Sequence, residues 1–259
     1  MRYIILHHHI FKNAGVSLEH CLMSSFGERW SSIEGNQPWS TISNDQLFRF
    51  INANPKLCAI SSHQARVIRK PYSDYRVFPI IFIRHPLDRV GSCYEYERAV
   101  NSDYHTSVAA QKGLKYYIDY CLEDVEQINT AVIRNYQTLH LSRALEGVDD
   151  TRKVLAGDLD LNESISFLDN LQAFGVVDEM GASLQLLNDW LTPYFPDIKL
   201  KPVVLNSSNR IGTTVDERIT RLKEEVGGTR YRRIIENNLL DLSLYAFAKQ
   251  KLFELCKRK

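Results

Sequence analysis

The stretch that most restricts what this chain can fold into runs from Tyr3 to Ser17. Tyr3 to Leu6 is short, apolar and partly β-branched, which predicts a buried strand. After His7-His8-His9-Ile10-Phe11, Lys12 to Gly15 is small and polar apart from the lysine. From Ser17 the period changes: Leu18, Cys21, Leu22 and Phe26 fall on one face of a helix, with Gly27 where a C-cap belongs. A strand that feeds a tight loop and a helix start makes an anion site, because free N–H groups and the positive end of the helix dipole meet there. Lys12 adds a charge and Ser17 a hydroxyl. The order Lys-x-x-Gly-x-Ser differs from the G-x-x-x-x-G-K-[ST] phosphate loop, in which the lysine follows the loop.

Two later apolar runs read as further strands. Leu57 to Ile60 leads into Ser61, Ser62 and His63, and Val77 to Ile83 leads into Arg84-His85-Pro86. Ile80 to Ile83 is continuous, as expected of a strand covered on both faces. Pro79 is placed near the strand start, where a missing N–H is tolerable, and Pro86 in the first turn of a helix. In an open parallel sheet the carboxyl ends of strands face the ligand crevice, so His63 and Arg84 are expected beside the first loop. A charged Arg84 there needs an anion, a carboxylate or carbonyl groups as partner. These runs, interleaved with helical patterns, predict an α/β fold: three layers, α/β/α, around a central parallel sheet, phosphate-loop-like, in a single domain over 1–259.

The rest of the chain adds packing elements. Asn44 or Asp45 is expected to cap a short helix through Phe50 and Ile51. Tyr116, Tyr117, Tyr120, Cys121 and Val125 form a helical stripe, and Ile128, Val132 and Ile133 suggest a second helix. Gly147 to Asp160 reads as a loop, Asn162 as a helix start, Ala173 to Val177 as a strand and Glu179 to Trp190 as an amphipathic helix. Ile234 to Leu255 reads as one long terminal helix, packed through Leu239, Leu242, Tyr245, Ala246 and Leu252.

The chain has 259 residues and a formal net charge of +1, so no global field points to nucleic acid or an anionic membrane. No stretch has the length and apolarity of a spanning helix, and no signal peptide is apparent, so a cytoplasmic location is expected. Five scattered cysteines without a C-x-x-C pair fit reduced thiols rather than a disulfide or zinc framework. His7-His8-His9 is read as a strand end lining the pocket mouth, not as a metal site, because consecutive strand residues alternate faces.

Together, His9-Ile10-Phe11-Lys12-Asn13-Ala14-Gly15-Val16-Ser17 and Arg84-His85-Pro86 with Ser92 resemble the two cofactor motifs of sulfotransferases that use 3′-phosphoadenosine 5′-phosphosulfate (PAPS). Those families carry H-I-P-K-T-G-G-T-S after the first strand, then a strand ending in R-[DNH]-P with a serine eight residues after the arginine. The nearest likeness is to the carbohydrate branch that includes heparan sulfate 2-O-sulfotransferase, which also has a histidine where His63 stands. Phe174 to Glu179 with Ser183 and Leu184, and Asn237 to Phe247, look similar as well. Phe11, Asn13, Ala14 and Val16 depart from the pattern; Asn13 keeps a donor, and Val16 does not.

The resemblance implies PAPS as co-substrate, no metal, and a hydroxyl acceptor, expected to be a saccharide. It implies Lys12, Asn13, Ala14, Gly15, Val16 and Ser17 around the 5′-phosphate, with Arg84 and Ser92 on the 3′-phosphate. Lys12 would stabilise the leaving group and His63 would act as base. Ser208 and Arg210, with Asn209 between them, are candidates for a loop closing over the cofactor, and Arg134 and Tyr136 for acceptor contacts. The sequence leaves the oligomeric state open. Alternatives are a non-catalytic nucleotide-binding protein of the same fold, or a phosphate-loop small-molecule kinase, which would need a Mg²⁺-holding carboxylate and the standard loop spacing.

Overall fold

A computed structural model describes residues 1–69, 72–100, 108–123, 130–202 and 213–258. Strand β1 (Arg2–His8) runs two residues past the apolar stretch and leads through the loop into α1 (Gly15–Phe26). There follow β2 (Trp30–Ser32), α2 (Asn44–Ala53), β3 (Ala59–Ser62), β4 (Tyr75–Ile80), β5 (Phe82–Ile83) and α3 (Pro86–Ala99). Next come α4 (Val108–Glu123), broken at Gly113 by a φ of 76°, α5 (Tyr136–Leu141), α6 (Asp158–Asp169), β6 (Gly175–Val176), α7 (Met180–Leu191), α8 (Val215–Val226), α9 (Gly228–Glu236) and α10 (Leu239–Lys257).

The four-stranded sheet is parallel, in the order β2-β3-β1-β4. The Tyr75–Ile83 run pauses at Ile81, and β5 then pairs in parallel with β6. β1 is therefore central, and its neighbours on both sides point their carboxyl ends the same way. The fold is α/β with a central parallel sheet and helices on both faces, an arrangement compatible with three layers. Ile4 and Leu6 of β1 pack with Leu47, Phe48 and Ile51 of α2. Ile5, on the other face, packs in a cluster with Leu18, Leu22 and Phe26 of α1, Leu187 of α7 and Leu244 of α10. At roughly 1.5–3 kcal/mol for each fully buried side chain, these two faces fix β1 firmly. Its carboxyl-terminal residues inherit that rigidity.

Several sequence expectations need correction. Pro79 lies well inside β4, opposite Leu6; no strand borders the far side of β4 at that level among the described residues, so the missing N–H is harmless. Ser43, not Asn44 or Asp45, caps α2, in a reciprocal capping box with Gln46. α6 starts at Asp158 rather than Asn162. The terminal helix is two helices, because Asn238 leaves the helical path and its amide caps carbonyls of Ile133 and Ile234. Leu239 and Tyr116 are exposed rather than packed. Val132 and Ile133 lie in a 3₁₀ turn, Thr130–Ile133, while Ile128 lies outside the described residues. The candidate contacts Ser208, Asn209 and Arg210 are likewise outside them.

Candidate functional site

Three strand ends converge on one spot. β1 delivers the loop 9–14, β3 delivers His63, and β5 delivers Arg84. The loop is held in an unusual backbone path: Lys12 and Ala14 both take positive φ, 66° and 63°. Left-handed residues other than glycine, asparagine or aspartate are uncommon, and surrounding contacts must enforce them. Two such contacts are evident. The His9 ring lies so close to Gly15 that a Cβ there would stand 1.8 Å from its Cδ2, so only glycine fits. Asn13 is buried, and its amide donates to the Phe82 carbonyl and to Gln137 Oε1, both at 2.7 Å.

That use of Asn13 corrects its expected part. Its Nδ2 is turned inward and its backbone N–H bonds the Ile10 carbonyl, so it shapes the loop rather than offering a donor to a ligand. The Ala14 carbonyl accepts from Leu18 N–H as α1 begins. Gly15, Val16 and Ser17 form the first turn of α1, whose N–H groups have no carbonyl one turn earlier to bond. The Val16 side chain faces solvent.

The two cofactor-like motifs meet through Arg84. Its Nη1 donates to the Lys12 carbonyl at 2.7 Å and its Nε to Asp88 Oδ2 at 2.7 Å. Asp88, buried in the first turn of α3, also accepts from Arg218 of α8, Nε to Oδ1 at 2.7 Å. One carboxylate thus gathers two guanidinium groups beside the loop. Breaking such a buried arrangement by removing one partner typically costs about 3–5 kcal/mol. The bond to Asp88 raises the pKa of the Arg218 guanidinium. The Lys12 ammonium sits 4.4 Å from the Tyr96 ring centre, against α3, the helix that also carries the buried Ser92.

Behind both motifs lies Gln137. Its side chain bonds Asn13, the Arg84 N–H and the Arg84 carbonyl, while its backbone N–H donates to Asp241 of α10. Gln137 and Asp241 are fully buried. Asp241 falls in the Asn237–Phe247 stretch of the family resemblance, but neither residue was assigned a part, since a lone glutamine and a lone aspartate in helical stretches carry no motif. Arg218 was equally silent, whereas Asp88, four residues after Arg84 at the start of α3, is a carboxylate that this spacing could have suggested as its partner.

His63 stands just past β3. Glu34 Oε1 accepts from the His63 backbone N–H at 3.0 Å and lies 2.9 Å from Nδ1. Both side chains are more than one-third exposed, so the pair adds little stability; its effect is to orient the ring. The ring stacks on His9 at 3.8 Å between centres, and His9 in turn packs on Gly15. His63 is therefore one imidazole away from the loop. A cleft beside it is lined by Arg66, Tyr136 and His140 among others. Tyr136 thus faces the same space as His63, and its burial raises the phenol pKa. Arg134 is buried and does not line that cleft. Arg66, unmarked in the sequence, does; burial lowers its pKa to about 10, so it stays charged at neutral pH. His7, His8 and His9 are buried, not at the pocket mouth as expected.

No family model matches the chain. It is 28% identical over 250 residues to a protein of Archaeoglobus fulgidus described as uncharacterized, a match covering 94% of this chain and 95% of that protein. The similarity therefore spans nearly the whole length of both chains. None of the described helices is long and apolar enough to cross a membrane.

Proposed function

We propose that this chain is a sulfotransferase of the PAPS-using type, in the phosphate-loop-like form of the three-layer fold, moving a sulfuryl group to a hydroxyl acceptor, a saccharide in the closest resemblance. The observation that carries the reading is the Arg84 bond to the Lys12 carbonyl, which brings the two motifs into direct contact. The residues present suit a doubly phosphorylated adenosine. First-turn N–H groups of α1 and Lys12 would take the 5′-phosphate, and Arg84 with Ser92 the 3′-phosphate, with Arg218 sharing Asp88 with Arg84.

PAPS supplies an activated sulfuryl group whose leaving phosphate gains charge as the S–O bond breaks. Lys12 and the loop donors would stabilise that charge, the electrostatic contribution that is usually the largest in catalysis. His63, oriented by Glu34 through Nδ1, would accept the acceptor proton at Nε2 as the hydroxyl oxygen attacks sulfur in line. The cleft holding Arg66 and Tyr136 beside His63 is the place for the acceptor.

The test is turnover. PAPS consumption across a panel of hydroxyl acceptors should fall by about 10²–10⁴-fold in His63→Ala, the range for loss of a general base. Equal rates in both proteins would remove His63 as the base. Binding of adenosine 3′,5′-bisphosphate without turnover on any acceptor would favour a non-catalytic protein of the same fold, and a response to ATP with Mg²⁺ would favour a kinase.

A further inference from the structure

His7 lies on β1 and His9 just past its end, and their rings stand side by side although His8 lies between them. Their rings stack at 5.3 Å between centres, 21° from parallel. Glu19, one turn into α1, reaches the same point: its Oε1 lies 2.9 Å from His9 Nδ1. One donor atom from each of His7, His9 and Glu19 lies within 4.8 Å of the others. Two ligands of one zinc ion stand about 3.3 Å apart in tetrahedral geometry, given metal–donor distances of roughly 2.0–2.1 Å. Rotation of side chains by about an ångström would close the set.

We infer that His7, His9 and Glu19 form a binding site for a divalent transition-metal ion of the zinc class. Four observations bear on this. The donor set, two imidazoles and one carboxylate, is suited to zinc and to neighbouring first-row ions rather than to magnesium or calcium. His7 already has an orienting partner, with Nδ1 3.1 Å from Ser61 Oγ, which leaves Nε2 as its donor. Such a hydrogen bond on the other ring nitrogen is the usual companion of a metal-bound histidine. Both histidines are buried, at 1% and 5% exposure, and Glu19 is only partly exposed, so the ion would be shielded yet reachable. The ligands also come from the two elements that flank the loop. His7 of β1 and His9 just after it lead into the loop, and α1 leaves it with Glu19, so the ion would staple strand to helix across Ile10 to Ala14.

Three protein donors leave a fourth position for water. Uptake replaces the His9–Glu19 hydrogen bond and releases the proton held in it. No step of the sulfuryl transfer runs through this ion; its effect is to fix the loop backbone that Gly15 and Asn13 already constrain. The site therefore stands or falls separately from the PAPS reading.

The experiment is titration of the full chain, freed of metal by a chelator, with Co²⁺ followed by visible absorption, and with Zn²⁺ followed by melting temperature. One equivalent of Co²⁺ should give d–d bands, one equivalent of Zn²⁺ should abolish them, and Zn²⁺ should raise the melting temperature. Glu19→Gln, conservative and partly exposed, should weaken Co²⁺ binding at least tenfold, and His9→Gln should remove the bands. His20→Ala, an exposed histidine next to Glu19, should bind as the parent does. Absence of bands in the parent overturns the site, as does binding unchanged in both Glu19→Gln and His9→Gln, or binding lost in His20→Ala alone. If Glu19→Gln fails to fold, the His9→Gln and His20→Ala comparison decides.

Discussion

His140 lines the candidate cleft with a buried Nε2 that has no hydrogen-bond partner among the described residues. Burial, then the charges of Arg66 and other neighbours, pushes its pKa well below the ordinary 6.5. The folded state thus holds His140 neutral, while the unfolded chain protonates it near 6.5. A depressed histidine of this kind contributes stability that is fully present above the unfolded pKa and is lost as pH falls below it, at up to about 1.4 kcal/mol per pH unit for one proton. Urea unfolding of the parent between pH 7 and 5 should show this decline, to which His7 and His8, also depressed by burial, contribute, and His140→Gln should lessen the slope. An unchanged slope in the variant would mean that other groups set the acid sensitivity. Single residues also show where sequence reading reached its limit. Lys12, Arg84 and Ser92 stood out because each sits at a set offset within a strand–turn–helix pattern. Arg66, Arg218 and Gln137 stood in no such frame, because what places them is tertiary packing.

At the scale of elements, β1, the loop and α1 were legible from a change of period from two to 3.6, and Pro86 marked the start of α3. The break between α9 and α10 was not, since apolar spacing continues through it; the cause is Asn238 capping remote carbonyls. The coupling of α5 and α10 to the loop was hidden for the same reason. Gln137 of α5 ties Asn13 and Arg84 to Asp241 of α10, and all of these bonds are buried or partly so. Replacing Gln137 by alanine takes a partner from the Asn13 amide and from the N–H and carbonyl of Arg84, and leaves Asp241 Oδ2 with the backbone N–H of residue 137 but without the side-chain amide. A loss of about 1–3 kcal/mol per buried group left unsatisfied is expected. Gln137→Ala should therefore unfold at lower urea and bind adenosine 3′,5′-bisphosphate more weakly, though no Gln137 atom is assigned to the ligand. If stability fell while affinity held, the brace would serve the fold alone.

For the whole molecule, the parallel order β2-β3-β1-β4 turns strand ends from 7 to 84 toward one edge, and the helices packed on both faces hold that edge still. The chemistry proposed for that edge rests on one cleft gripping two phosphates of one nucleotide. Calorimetric titration with adenosine 3′,5′-bisphosphate measures that grip directly. Saturable binding of one equivalent is expected, weakened tenfold or more in both Lys12→Ala and Arg84→Ala, with adenosine 5′-monophosphate bound less tightly and Arg84→Ala indifferent to the missing 3′-phosphate. Binding that survives both substitutions unchanged, or no binding by the folded parent, would contradict it.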